Sequence, residues 1–160
     1  MHKSYDTKIS KVYLQPIMMH PIIEKYIEFN NFGKYLGLNF TILEPGVVNH
    51  FLTITKDHLA TPHTAHGGVI AAMMDAVLGV AALSLVCSDN NIVSTVEFKL
   101  NFLNPCLLGD ALSGEAIVEQ AGKRIIIVSG TIKSINRNMV IAKAIGTFNA
   151  YPAAKAGLIL

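Results

Sequence analysis

The sequence predicts an α+β fold in which one antiparallel sheet curls around a single long helix. Three observations carry this. Residues 67–87 form an Ala- and Gly-rich run that is apolar on nearly every helical face, so other elements must surround it. Six strand-like segments flank the run, two before it and four after. Strands and helices do not alternate, which excludes a parallel α/β sheet.

Taken in order, residues 1–15 are mixed in composition and are expected to be loosely ordered. Residues 18–31 place Ile22, Ile23, Tyr26, Ile27 and Phe29 on one face and Glu24, Lys25 and Glu28 outside, the pattern of a short amphipathic helix. Pro21 suits its first turn, and Asn31 and Gly33 are expected to stop it. Residues 36–43 read as a strand and Glu44-Pro45-Gly46 as a turn. Residues 47–55 alternate at Val48, His50, Leu52 and Ile54, which makes the pair a hairpin. A loop rich in Thr, Pro and His fills 56–65, and the long helix follows. Small residues at 71, 72, 76, 79, 81 and 82 are expected to let neighbours approach it closely. After a turn at 88–91, strands are predicted at 92–102, 111–120, 124–135 and 139–151, arranged as a meander. The division is an N-terminal extension and short helix (1–34), one sheet-and-helix domain (35–152) and a small-residue tail (153–160) ending in Leu-Ile-Leu.

Composition narrows the function classes. At 160 residues the chain is one domain by size, with 51% hydrophobic and 15% charged residues. So much apolar side chain in one small domain predicts an oligomer. The net charge of +2 comes from scattered Lys and Arg, unlike the clustered basic stripe of a nucleic-acid surface. Cys87 and Cys106 form neither a CxxC pattern nor a disulfide framework, so two buried reduced thiols in a cytoplasmic protein are expected. The N-terminus lacks the apolar core of a signal peptide. Residues 69–86 are apolar enough to raise a membrane span, but they contain Asp75, fall short of about 20 residues and lack aromatic or basic anchors, so a buried helix is the better reading.

The most informative stretch runs from His66-Gly67-Gly68 to Asp75. It sets one carboxylate two turns into an otherwise uncharged helix, and no Lys or Arg lies between Lys56 and Lys99 to pair with it locally. An unpaired carboxylate in an apolar site is costly, which suggests a chemical role. The first N–H groups of a helix lack internal partners and carry the positive end of its dipole, so Gly67 and Gly68 could bring a polarised oxygen close to them. The two glycines could equally just ease a tight turn.

These residues, in this order of elements, resemble the hotdog-fold acyl-CoA thioesterases, in particular the PaaI-like branch of the phenylacetate pathway. The resemblance spans roughly residues 35–150. It rests on His66-Gly67-Gly68, Asp75, Gly79, Thr95-Val96-Glu97-Phe98, Asn104-Pro105, Leu108-Gly109-Asp110 and Gly122-Lys123-Arg124. It implies a six-stranded antiparallel sheet wrapped around the long central helix, and a thioester hydrolase that needs no metal or separate cofactor, coenzyme A being part of the substrate. The Gly67 N–H would polarise the thioester carbonyl, a contribution of about 2.7–4 kcal/mol in acyl transfer. Asp75 would act as nucleophile or as general base on water. Thr95 would orient Asp75 or the water, or be an ordinary strand residue. His66 would line the sulfur side or hold the loop.

Gly67 and Asp75 are eight residues apart, so they stand roughly 12 Å apart along the helix axis. One carbonyl cannot touch both within a chain. If both act, they come from different protomers, which predicts a homodimer or a dimer of dimers with antiparallel helices side by side. One departure stands out: many relatives carry an Asn six residues before the motif histidine, where this chain has Ala60, and His63 or Thr64 could replace its polar group. His58, His63 and His66 lack a carboxylate ligand nearby, which argues against a metal cluster. Lys123 and Arg124, and more weakly Arg137, are candidates for the coenzyme A phosphates. Met73, Met74, Val77 and Leu78 either line the acyl pocket or are core. Two rival functions follow from the same resemblance: a non-catalytic acyl-CoA binding module, which Ala60 favours, and a hydratase or dehydratase on the same fold. No membrane or nucleic-acid partner is expected.

Overall fold

The computed structural model describes residues 19–158. The expectations for residues 1–15 and for the last two residues of the tail lie outside the described residues. Two helices, α1 (Pro21–Phe29) and α2 (Asn31–Leu36), precede the hairpin β1 (Asn39–Glu44) and β2 (Val47–Thr53). The long helix α3 (Gly67–Val86) is followed by β3 (Asn91–Phe102), β4 (Ala111–Ala121), β5 (Ile125–Ser134) and β6 (Met139–Pro152).

The helix α2 corrects the sequence reading of this region. Asn30, not Asn31, ends α1, and its side-chain oxygen accepts the Gly33 N–H at 2.9 Å. One cap thus closes one helix and opens the next. Gly33 lies inside α2, and the left-handed Gly37 ends it, which delays the first strand to Asn39.

All six strands join one antiparallel sheet in the order β1-β2-β4-β5-β6-β3. The predicted four-strand meander is therefore corrected: β4, β5 and β6 form one, but β3 pairs with β6 at the far edge. Residues 103–110 carry the chain past the start of α3. They are held there by Ala65 N–H donating to the Cys106 carbonyl at 2.8 Å and Leu108 N–H to that of His63 at 3.0 Å. Alternation along a strand fixes which face is buried, not which strand lies beside it.

By length and composition α3 could cross a membrane. It lies instead against the concave face of the sheet, with Met73, Met74, Val77 and Leu78 fully buried. The close approach comes from glycines on the sheet. A Cβ on Gly114 would fall 2.6 Å from Val77 Cγ2, and one on Gly130 2.8 Å from Leu78 Cδ2. The small residues of α3 divide. Ala81 and Ala82 are buried, whereas Ala71, Ala72, Asp75, Ala76 and Gly79 form a half-exposed stripe. Among the described residues one face of the helix is thus only partly covered, as packing side by side with a second copy would require.

Ile22 and Ile23 of α1 pack against Leu83, Cys87, Ile92 and Ala153, with Leu158 joining the cluster. Both cysteines are free and buried.

Candidate active site

His66 is the N-cap of α3. Its backbone is extended (φ −64°, ψ 134°), and its Nδ1 accepts the Gly68 N–H at 2.8 Å. The ring proton therefore sits on Nε2. A Cβ on Gly68 would stand 2.8 Å from that same Nδ1, so the cap itself requires glycine at 68. Gly67 differs. Its N–H has no hydrogen-bond partner among the described residues, and the residue is exposed. A Cβ there would meet only the Phe102 ring at an ordinary 3.7 Å. Packing does not demand glycine at 67, and the bare amide is open to an incoming oxygen at the positive end of the helix.

Two turns along, Thr95 Oγ1 donates to Asp75 Oδ1 at 2.8 Å. Asp75 is half-buried, not sealed, and its Oδ2 takes no hydrogen bond from the described residues. The expectation of a costly buried charge is therefore corrected for the single chain: solvent and one hydroxyl share the load. The partner strand bulges at this place. Thr95 faces Phe148 and Glu97 faces Thr147, leaving Val96 unpaired. Phe148 points into the core, so Thr95 opposite it points toward the helix. The extra residue turns Glu97 to the other face, where it accepts the Thr147 hydroxyl at 2.6 Å.

Other sequence candidates fall elsewhere. His63 is exposed near the start of α3, and its ring takes no hydrogen bond among the described residues. Ala60 is exposed and donates its N–H to the Thr64 carbonyl. His58 is buried, and its Nδ1 accepts the Thr55 N–H at 3.1 Å, so the ring closes a turn. Lys123 and Arg124 are exposed at the β4–β5 turn, beside Asp89 and Lys155 at the far end of α3. The twenty residues of that helix set them roughly 30 Å from Gly67 of the same chain.

Arg137 is not free to meet a phosphate. It forks onto Asp110, with Nε to Oδ1 at 2.7 Å and Nη2 to Oδ2 at 2.5 Å, and also donates to the Pro105 carbonyl. The Asp110 side chain is 2% exposed. Burial pushes its pKa up, but Arg137, the Leu107 N–H and the Ser134 hydroxyl outweigh that and hold it at about 2. Met73, Met74, Val77 and Leu78 are core, which resolves the alternative left open for them.

Sequence reasoning missed Tyr26, which feels the Asp75 charge, and Asn30, which bonds to Tyr26. Tyr26 of α1 has its phenol pushed up to about 12, first by burial and then by the Asp75 charge. Asn30 Nδ2 donates to the Tyr26 hydroxyl at 2.9 Å, leaving the phenolic proton to be donated onward. Tyr26 was legible only as part of the apolar face of α1.

Comparison with known proteins places the chain. The model of the Thioesterase superfamily matches residues 63–141. A Pseudomonas aeruginosa protein named "Putative esterase PA0474" is 30% identical over 98 residues, 61% of this chain and 71% of its own. The chain belongs to the thioesterase superfamily. Within it, human "Acyl-coenzyme A thioesterase 13" is 22% identical over 127 residues, 78% of this chain and 89% of its own. The structure of the PaaI protein from the E. coli phenylacetic acid degradation operon superposes with a TM-score of 0.74 at 21% identity, covering 81% of this chain and 90% of that one. This is the PaaI-like hotdog fold: a six-stranded antiparallel sheet around a long central helix. The superfamily match begins at His63 and includes the α3 cap, Asp75 and the bulged strand, but leaves out α1.

Proposed function

We propose that this chain is an acyl-CoA thioesterase that works as a homodimer, each site pairing the Gly67 amide of one protomer with Asp75 and Thr95 of the other. The carrying observation is the separation on one straight helix of an unpartnered N–H and an oriented carboxylate. They stand roughly 12 Å apart along the axis, too far to act on one carbonyl within a chain. Two further features support a two-fold partner. Asp75 lies in the half-exposed small-residue stripe of α3. Among the described residues the twelve-residue β3 ends the sheet with one edge unpaired and Val96 exposed.

In such a dimer the Gly67 N–H polarises the carbonyl. Asp75 Oδ2 either takes a proton from a water that attacks the carbonyl carbon, or attacks that carbon itself to give an anhydride that water then hydrolyses, releasing the free acid and restoring the carboxylate. The C–S bond breaks, and the thiolate of coenzyme A leaves and is protonated. Thr95 holds Oδ1, so Oδ2 faces the chemistry. Antiparallel helices would also bring Lys123 and Arg124 of one copy toward the helix start of the other, where the phosphates would lie, with His63 and the His66 Nε2–H beside the thioester. Coenzyme A enters only as part of the substrate, and a cytoplasmic setting suits the reduced cysteines. A dimer of dimers would cover the exposed Ile117 and Ile145 on the outer face of the sheet.

Hybrid dimers test the composite site. Gly67→Pro deletes the N–H at a position where proline is tolerated, because Gly67 is the first helical residue and His66 before it is extended. Alone, Gly67→Pro and Asp75→Asn should each be nearly inactive. Mixed and refolded together, they should regain thiol release, since the hybrid dimer rebuilds one intact site. Two inactive variants that never complement, or an active monomer, would overturn the composite site. Binding of acyl-CoA with no turnover by the wild type would favour the binding-module reading that Ala60 suggests.

A further inference from the structure

A pocket of about 280 Å³ lies between α1, α3 and the start of β3, lined by Ile22, Tyr26, Phe29, Gly79, Leu83 and Val93. Nothing above gives it a role, yet its walls continue the surface that carries the Asp75–Thr95 pair. Gly79 stands four residues after Asp75, one turn along the same face of α3. Val93 stands two residues before Thr95, on the same face of β3. Tyr26 closes the pocket from α1 and feels the Asp75 charge.

Gly79 is the informative residue. Glycine inside a helix is destabilising relative to alanine. Among the described residues of its own chain no neighbour requires it, since a Cβ would meet the Phe148 ring at an ordinary 3.5 Å. What the missing side chain leaves is room in the pocket.

We infer that this pocket receives the acyl group of the thioester, and that α1 sets the size of group that fits. The inference rests on the thioesterase reading above. An apolar cavity of 150 Å³ can hold a benzene ring. On that scale a pocket of about 280 Å³ is more than one aromatic ring or a six-carbon chain needs and less than a sixteen-carbon chain needs. A long fatty chain would run out past Phe29, which is largely exposed.

The test uses the full chain, with thiol release from acetyl-, hexanoyl-, phenylacetyl- and palmitoyl-CoA, and calorimetric binding of the hexyl-CoA thioether, which cannot be hydrolysed. Wild type should prefer hexanoyl and phenylacetyl over palmitoyl. In Gly79→Val the hexanoyl-to-acetyl ratio of kcat/KM should fall at least tenfold, since one misplaced methylene is worth about 10–200-fold. Gly79→Ala, which favours the helix, should lower it less and keep the melting temperature. Phe29→Ala should shift preference toward longer chains. Unchanged ratios in all three variants would overturn the pocket assignment. If wild type binds the thioether but releases no thiol, hydrolysis is refuted separately. The pocket then stands if Gly79→Val binds the thioether at least tenfold more weakly, and falls if the two bind equally. If wild type does not bind the thioether, both readings fall.

Discussion

The Thr95 hydroxyl donates to Asp75 Oδ1 at 2.8 Å, joining the edge strand to the central helix beside the strand's bulge. Hydrogen bonds to charged groups are worth about 1.5–3 kcal/mol. Thr95→Val should therefore lower kcat by about 10–100-fold with little change in KM. Thr95→Ser should restore most of it, because serine keeps the donor. Asp75→Asn should cost about 10²–10⁴-fold, the range for a positioned acid or base, while the melting temperature holds. Steady-state thiol release and a thermal melt of each variant check this.

The His66 cap and the absence of a side chain at Gly68 are two halves of one arrangement. His66→Ala should destabilise by about 0.5–2 kcal/mol through the lost cap. Gly68→Ala should destabilise as well, because its Cβ would displace the ring. The double variant should be less destabilised than the sum, since without the imidazole the methyl meets nothing it must push aside. Chemical denaturation of the four proteins measures the coupling, and strict additivity would contradict the arrangement.

His50 gives the protein an acid-sensitive core. It stacks on Phe40 with ring centroids 5.0 Å apart, its Nδ1 has no partner among the described residues, and burial lowers its pKa to about 4. The unfolded chain takes up this proton near pH 6.5, the folded one only near pH 4, so the unfolded state binds more protons in between. Stability should fall as pH drops through that window, by about 3 kcal/mol. His50→Leu should flatten the profile between pH 7 and 4. Denaturation midpoints across that range decide it.

Asp110 acts at lower pH. Its pKa is held at about 2 in the folded chain against 3.8 for the free side chain. The stability this supplies, about 2 kcal/mol, is complete above pH 3.8 and is lost as pH falls through about 2. Arg137→Leu should destabilise at neutral pH by about 3–5 kcal/mol, because it leaves a buried carboxylate uncompensated. Asp110→Asn with Arg137→Leu together should be milder than Arg137→Leu alone.

Gly114→Ala should destabilise without touching the site. Its Cβ would fall 2.6 Å from Val77 Cγ2 and 3.0 Å from Met73 Cε, and such overpacking costs about 1–3 kcal/mol. A melting temperature equal to wild type would contradict the close seating of α3.

The single helix that α3 forms, the half-buried alternation of β2 at Val48, His50, Leu52 and Ile54, and the nearness of Asp75 to a glycine-opened helix end were all legible in the sequence. Periodicity and helix geometry are local, and local rules reach that far. The α1–α2 break was not legible, because Asn30 and Gly33 carry the residue types of a helix stop and it took the Asn30 side chain to start a new helix.

The sequence by itself determined the elements, the central helix and the roughly 12 Å that separates Gly67 from Asp75. Only tertiary structure decided that β3 closes the far edge beside β6, that Val96 bulges there, that Arg137 serves Asp110 and not a phosphate, and that α1 walls a pocket next to Asp75. The physical reason is that side-chain pattern sets which face of an element is buried. Which elements meet across that face depends on how the whole chain packs, and no short window of sequence contains that.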